Sequence, residues 1–132
     1  ISGIFFMGQG KAQESSSEAV NAYYGAYLLA LALGDVELVD WSRVLLAMEI
    51  RAAKTYYHMP SHNPIYPKNF AHNKMVGVLG ALSTGTSTWF GPSPLFTHGI
   101  QLLPITPITE LLLKPSSFVA EDIAFIDKEI AT

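Results

Sequence analysis

A first long helix is predicted by the order of polar and apolar positions in residues 13–33. The polar run at the start of this stretch places Ser15 three residues before Glu18, which is a capping box and marks a helix N-terminus. Apolar residues then dominate as far as Leu33, and Gly34 supplies the left-handed turn that commonly ends a helix.

A second long helix follows almost at once. Asp35 is its predicted N-cap, and the helix is expected to continue to about Tyr57, with Pro60 as a stop. Its apolar residues recur at helical spacing: Leu38, Trp41, Leu45, Met48 and Ala52. Two helices joined by so short a turn predict an antiparallel hairpin.

The remaining segments predict shorter elements. Residues 1–12 contain an apolar run followed by Gly8 and Gly10 and are expected to form a packed loop, and residues 60–97 are expected to form long loops with a short strand pair. Short helices are predicted near 98–103 and 109–114. A final helix is expected to be capped by Ser117, with one apolar face: Val119, Ile123, Ile126 and Ile130.

The composition narrows the classes of protein that fit this pattern. Of the 132 residues, 49% are hydrophobic and only 14% are charged, which argues against disorder and for an all-α chain with much buried helical surface. A net charge of -3 gives no reason to expect a nucleic-acid or anionic-membrane partner. The most apolar stretch, residues 19–33, is shorter than the roughly 20 residues that a membrane span needs.

Neither a cofactor nor a metal is expected. The chain has no cysteine, so disulfides, zinc–thiolate sites and cysteine nucleophiles are excluded. His58 and His62 have the spacing of a helical metal pair, but Pro60 lies between them and breaks the helix that would align them.

Two carboxylates are predicted to share one strip of the first helix. At about 100° per residue, Glu14, Glu18, Asn21 and Gly25 fall close together on the helical wheel, with apolar and aromatic residues opposite. Such a strip can line a cleft and supply a catalytic carboxylate. The alternative is that Glu18 only completes the capping box and Glu14 only complements the helix dipole.

The sequence around these glutamates resembles a known family. Residues 13–25 read QESSSEAVNAYYG, which is similar to the signature of glycoside hydrolase family 81. Further stretches agree with the family in order and spacing: residues 45–54 (LLAMEIRAAK), 73–79 (NKMVGVL), 89–90 (WF) and 98–104 (HGIQLLP). Residues 1–4 resemble the end of the loop that precedes the signature.

The resemblance implies a fold and an activity. The family hydrolyses internal β-1,3-glucosidic bonds with inversion, without a metal, on an (α/α)₆ barrel. Residues 1–132 would be part of that barrel domain, truncated on its N-terminal side, with a long loop and short strands inserted. The family's general base comes from the segment matching residues 14–18, so Glu14 and Glu18 are the candidate catalytic residues. The resemblance also implies that the general acid is an aspartate upstream of Ile1.

Five residues are expected to bind substrate. Tyr24 and Trp89 offer flat rings that suit the C–H faces of a sugar, and His98 lies in the family-like 98–104 stretch. The full set comprises Gln13, Asn21, Tyr24, Trp89 and His98. Tyr23 and Trp41 are instead expected to be core residues.

Two other interpretations of the sequence stay open, and they assign the chain different functions. One is an inactive β-1,3-glucan-binding module, and the other is a helical scaffold whose glutamates are only helix caps. The resemblance further implies β-1,3-glucan and the upstream part of the same enzyme as partners. It also implies an extracellular or cell-wall location.

Overall fold

The backbone of residues 6–7 and 10–131 is described by a computed structural model, with side chains from residue 12 onward. The resemblance of residues 1–4 to a family loop therefore lies outside the described residues. The described part of the N-terminal segment is not a loop as predicted, because it forms strands β1 (Phe6–Met7) and β2 (Gly10–Gln13). The predicted apolar run gave no alternation by which strands could be recognised.

Two long helices form the predicted hairpin. Helix α1 (Ser16–Leu33) begins after Ser15, whose hydroxyl accepts a hydrogen bond from the Glu18 amide, and ends at Gly34, which has a φ of 70°. Helix α2 (Val36–Ala52) is capped by the Asp35 carboxylate and continues into one π-helical turn, Ala53–Tyr57. Both predicted caps, the glycine turn and the end near Tyr57 are confirmed.

The apolar face predicted for α2 is mostly exposed. Leu38, Leu45 and Met48 are exposed, and Trp41, predicted to be core, is 61% exposed in this chain. Helix α2 carries apolar residues on more than one side, and periodicity alone does not show which side meets a neighbour. The side that packs inward carries Ser42, Leu46, Glu49 and Ile50.

The loop region between the hairpin and the later helices contains a small antiparallel sheet. Helix α3 (Lys68–Ala71) is followed by strands β3 (Val78–Gly80) and β4 (Thr84–Gly85), which form the predicted strand pair. The strand order is β1-β2-β3-β4. Strand β2 pairs with β3 through Gln13 and Leu79, so the sheet leads directly into the start of α1.

Three helices complete the described chain: α4 (Pro94–Leu102), α5 (Thr109–Leu113) and α6 (Ser116–Ile130). The predicted cap of α6 is wrong, because the helix starts two residues earlier, with Pro115 and not Ser117 at the N-cap. Its predicted apolar face is not the face that packs best, since Ile123 and Ile130 are exposed and Val119 and Ile126 only half-buried, while Phe118 and Asp122 are buried. A polar residue therefore lies at the centre of its packed face, and a search for apolar periodicity passes over it.

Two small hydrophobic clusters lie in the described part of the chain. One joins the hairpin to α5 through Val20, Ala53, Ile108 and Leu112. The other lies beneath the sheet and contains Tyr57, Met59 and Val76. The first cluster holds α1 and the second packs against Leu79 of β3, so they fix the helix and the sheet that flank the 14–18 segment. Within the described part of the chain, no helix is both long and apolar enough to cross a membrane.

Candidate functional site

Glu14 lies in the short connection between β2 and α1, one residue before the predicted N-cap Ser15 and so just outside the helix on which its strip was predicted. Its carboxylate oxygen Oε1 accepts a hydrogen bond of 2.6 Å from the backbone amide of Trp89. The indole of Trp89 is 69% exposed and meets the ring of Phe90 edge-on, with the centroids 5.5 Å apart. The structure therefore brings a fixed carboxylate and an exposed aromatic ring to the same place.

Glu18 lies in the first turn of α1. Its backbone amide donates to the Ser15 hydroxyl at 3.1 Å, and the residue is exposed. The capping role is thus real, but it uses the backbone of Glu18. The carboxylate faces solvent one helical turn beyond Glu14.

The three serines between these glutamates attach the segment to the end of α4. The hydroxyls of Ser15 and Ser17 donate to the Ile100 carbonyl at 2.8 and 2.9 Å, and Ser17 also donates to the Leu103 carbonyl at 2.5 Å. Ser16 is bound to the side chain of Gln101. Since all three hydroxyls contact α4 or its end, the segment is held against this helix on one side.

Gln13 is occupied by contacts inside the protein. Its side-chain amide donates to the carboxylate of Glu49, which is only 4% exposed. The backbone carbonyl of Gln13 accepts a hydrogen bond of 2.8 Å from the phenol of Tyr57. Burial raises the pKa of Tyr57, with Glu49 adding to the effect, so the phenol stays protonated and remains a donor. These contacts give Gln13 a role in holding β2 against α2.

Asn21 also makes contacts within the chain. Its amide nitrogen donates to the carbonyls of Ser17 and Pro104, at 2.9 and 3.1 Å, and its oxygen accepts from the Thr106 hydroxyl at 2.5 Å. The side chain therefore joins α1 to the α4–α5 connection, and its donors and acceptor have partners without a ligand.

Tyr24 lies on a different surface from Glu14. It packs against the core cluster around Val20 and lines a groove of about 620 Å³ between α1, α2 and the start of α5. The residues lining that groove include Tyr27 but not Glu14, Glu18 or Trp89. Tyr23, predicted to be core, is half-buried, and burial raises the pKa of its phenol, with a further contribution from Glu49.

His98, one of the five residues expected to bind substrate, is buried inside this chain. The side chain is 2% exposed, its Nδ1 lies 2.8 Å from the Asp122 carboxylate, and its ring stacks on Phe125. This buried pair joins α4 to α6. The sequence could not show it, because the partner lies 24 residues away in another helix.

His58 is buried beside this pair. It stacks on Phe118 with the ring centroids 4.4 Å apart, and its Nε2 has no hydrogen-bond partner in the structure. Burial lowers the pKa of His58 from 6.5 to about 4. Among the described residues, no group of three or more histidine, aspartate or glutamate side chains could hold a metal ion.

We expect His58 to make the protein less stable in acid. Because the folded state holds the imidazole neutral while the unfolded chain binds a proton, the free energy of unfolding should fall as the pH drops from 6.5 towards about 4. His58→Leu should remove most of this loss. Urea unfolding of the unsubstituted protein and of His58→Leu, each at pH 7 and pH 4.5, measures the free energy of unfolding. An equal decrease between the two pH values in both proteins would contradict the expectation.

Sequence reasoning missed Gln101, the residue with the most contacts to the 14–18 segment. It is 0% exposed and binds Glu14 and Ser16 together with Gly77. The 98–104 stretch resembles the family and suggests His98 as its site residue, whereas in the structure Gln101, three residues later, contacts the 14–18 segment.

Comparison with known proteins gives a consistent result. A sequence profile of the Glycosyl hydrolase family 81 C-terminal domain matches residues 1–131. A glucan endo-1,3-beta-D-glucosidase from Glycine max is 42% identical over 85% of this chain, and glucan endo-1,3-beta-D-glucosidase 2 from Saccharomyces cerevisiae is 34% identical over 91%. The aligned regions are 17% and 15% of those relatives, so this chain spans only a small part of their length.

A solved structure resembles the fold as well. A variant of the glycoside hydrolase family 81 enzyme from Clostridium thermocellum superposes on 96% of this chain with a TM-score of 0.86 and 25% sequence identity. The chain covers 17% of that structure. These matches confirm the predicted family, and they confirm the predicted fold class, a mainly helical part of an (α/α)₆-type fold.

Proposed function

The chain belongs to the glycoside hydrolase family 81 C-terminal domain family, and we propose that it contributes the general base to hydrolysis of internal β-1,3-glucosidic bonds with inversion. The relatives named above are glucan endo-1,3-beta-D-glucosidases, which supports the class of reaction and of substrate. The observation that supports the role of this chain is the Glu14 carboxylate, fixed by the Trp89 amide beside an exposed indole.

Glu14 suits the role of base for a geometric reason. A general base acts only if its oxygen is held within hydrogen-bond reach of the water that it deprotonates. The hydrogen bond from Trp89 occupies one oxygen of the carboxylate and orients the other. Glu14 therefore takes a proton from the attacking water in our proposal, while the exposed Glu18 positions that water or the sugar.

Trp89 is the substrate-binding residue that the structure supports best. Its ring is exposed and its own backbone holds Glu14, so a glucose unit stacked on the indole would lie close to the base. Gln13 and Asn21 contribute indirectly, by fixing the strand and helix on either side of the segment. Tyr24 would bind glucan only along its separate groove.

The acid of the reaction is assigned to a residue outside this chain. Inverting hydrolysis places two carboxyl groups about 6.5–9.5 Å apart on opposite sides of the bond, one of them protonated. Glu110 does not suit the role of general acid, because its hydrogen bond with Lys114 lowers the pKa of the carboxyl and so favours the form without the proton. The proposal needs no cofactor, since two carboxyl groups and water complete the chemistry. It also includes an extracellular or cell-wall location, where β-1,3-glucan would be met.

An inactive β-1,3-glucan-binding module would share the exposed Trp89 and the buried support of the segment. A test for hydrolysis distinguishes this binding module from the proposed enzyme. We expect the complete natural protein that contains this chain to cleave laminarin internally and to release an α-anomer at the new reducing end, because attack from the opposite face inverts a β-bond. Proton NMR of the earliest products measures this. A β-anomer appearing first would contradict inversion, and binding without cleavage would favour the binding module.

A further inference from the structure

Gln101 lies near the end of α4 and is buried completely, at 0% exposure. Its side-chain oxygen accepts hydrogen bonds from the backbone amide and the hydroxyl of Ser16, at 2.9 and 2.7 Å. Its nitrogen donates to the carbonyls of Glu14 and Gly77, the latter at 3.1 Å. A primary amide has two hydrogens and two lone pairs, so every one of its hydrogen-bonding positions is used.

The contact with Gly77 extends this network to the loop that carries Trp89. The amide of Gly77 donates to the Gly85 carbonyl at 2.8 Å. A Cβ on Gly77 would collide with the Ser87 carbonyl, so the two backbones pass in direct contact. Ser87 lies two residues before Trp89, and the intervening Thr88 closes the turn through two hydrogen bonds with the Gly91 carbonyl, from its amide at 3.0 Å and its hydroxyl at 2.9 Å.

These contacts form a closed circuit. Gln101 holds the backbone of Glu14 directly, and through Gly77 and Ser87 it holds the loop whose amide binds the Glu14 carboxylate. The acceptor of that hydrogen bond (Glu14) and its donor (the Trp89 amide) are thus both held in place by the buried side chain of Gln101. A side chain that only filled space would not need hydrogen bonds to both the Glu14 and the Gly77 backbone.

We propose that Gln101 is a positioning residue that sets the direction of the Glu14 carboxylate by fixing Glu14 and the Trp89 amide relative to each other. The inference rests on the proposed function, in which Glu14 is the base. Gln101 has no exposed surface and touches no substrate itself. Its effect on turnover comes through geometry, and a displacement of about 1 Å at a reacting group can cost on the order of 10²-fold in rate.

The test is Gln101→Glu in the complete natural protein. This substitution keeps the shape and the oxygen that serves Ser16, and it replaces the nitrogen donor with an acceptor that faces the carbonyls of Glu14 and Gly77. We expect kcat on laminarin to fall by roughly 10²-fold and KM to change by much less, because the substitution loosens the amide that orients Glu14 while the Trp89 indole stays on the surface. Gln101→Met removes the same donors without burying a charge and should give the same split if Gln101→Glu folds poorly.

Asp122→Asn is the matched control. Asp122 is buried and also holds α4, through His98, but within the described part of the chain its hydrogen bond is to that histidine and not to the 14–18 segment. It should lower the midpoint of thermal unfolding by an amount comparable to the Gln101 variants, with kcat close to that of the unsubstituted protein. Equal loss of kcat in the control, or retained kcat in both Gln101 variants, would overturn the positioning role.

Hydrogen exchange at the Trp89 amide gives a readout that does not depend on turnover. The amide should be protected in the unsubstituted protein and in Asp122→Asn, and should exchange at least about tenfold faster in the Gln101 variants. Unchanged exchange would contradict the proposal. If exchange responds as expected but the unsubstituted protein does not cleave laminarin, the circuit stands and the proposed function fails.

Discussion

Glu14→Gln is expected to lower kcat on laminarin by about 10²–10⁴-fold in the complete natural protein. The amide has nearly the same shape and can still accept the hydrogen bond from Trp89, but it cannot take a proton from water. Glu18→Gln should also remove most of the activity, since Glu18 is proposed to position the water or the sugar. Initial rates over a range of laminarin concentrations give kcat and KM for each variant.

Glu110→Gln provides the control for this pair. It makes the same chemical change at an exposed glutamate whose partner is Lys114, so turnover should stay close to that of the unsubstituted protein. Near-normal turnover in both the Glu14 and the Glu18 variants would show that neither is the base. A strong loss in the control would instead point to Glu110 and contradict the assignment of the acid to a residue outside this chain.

Residues 1–132 expressed alone are expected to show no laminarin hydrolysis and to associate. The hairpin exposes large apolar side chains on both helices, among them Leu33 and Val36 at 68% and 73% and Trp41 at 61%. Apolar surface of this extent favours association, and helices gain most of their stability from packing. The chemistry should also fail, because a base without its acid leaves the departing oxygen unprotonated.

Sedimentation velocity, thermal unfolding and a laminarin assay test this expectation. A monomer with a cooperative unfolding transition and clear hydrolysis would contradict it, because the acid would then have to lie within these residues. A matched variant, Trp41→Gln, should reduce association by removing one of the largest exposed side chains without touching the 14–18 segment.

Local sequence determined the helices of the hairpin and where they begin and end. Ser15 and Asp35 each bind an amide three residues further on, and Gly34 adopts a left-handed conformation that other residues avoid. These features act within a single turn, so they can be read without a partner. The motif at residues 13–25 likewise identified the family, and it placed Glu14 just ahead of the first helix.

The tertiary structure alone decided which side chains support the site. Gln101 and Ser16 are 85 positions apart, and His98 meets Asp122 from another helix. No local pattern encodes such pairs, because a polar residue looks the same in the sequence whether it faces solvent or a buried partner. The exposed position of Trp41 likewise could not be predicted from local sequence. Periodicity shows that apolar residues share a face of a helix, but only the packing of the whole chain determines what that face meets.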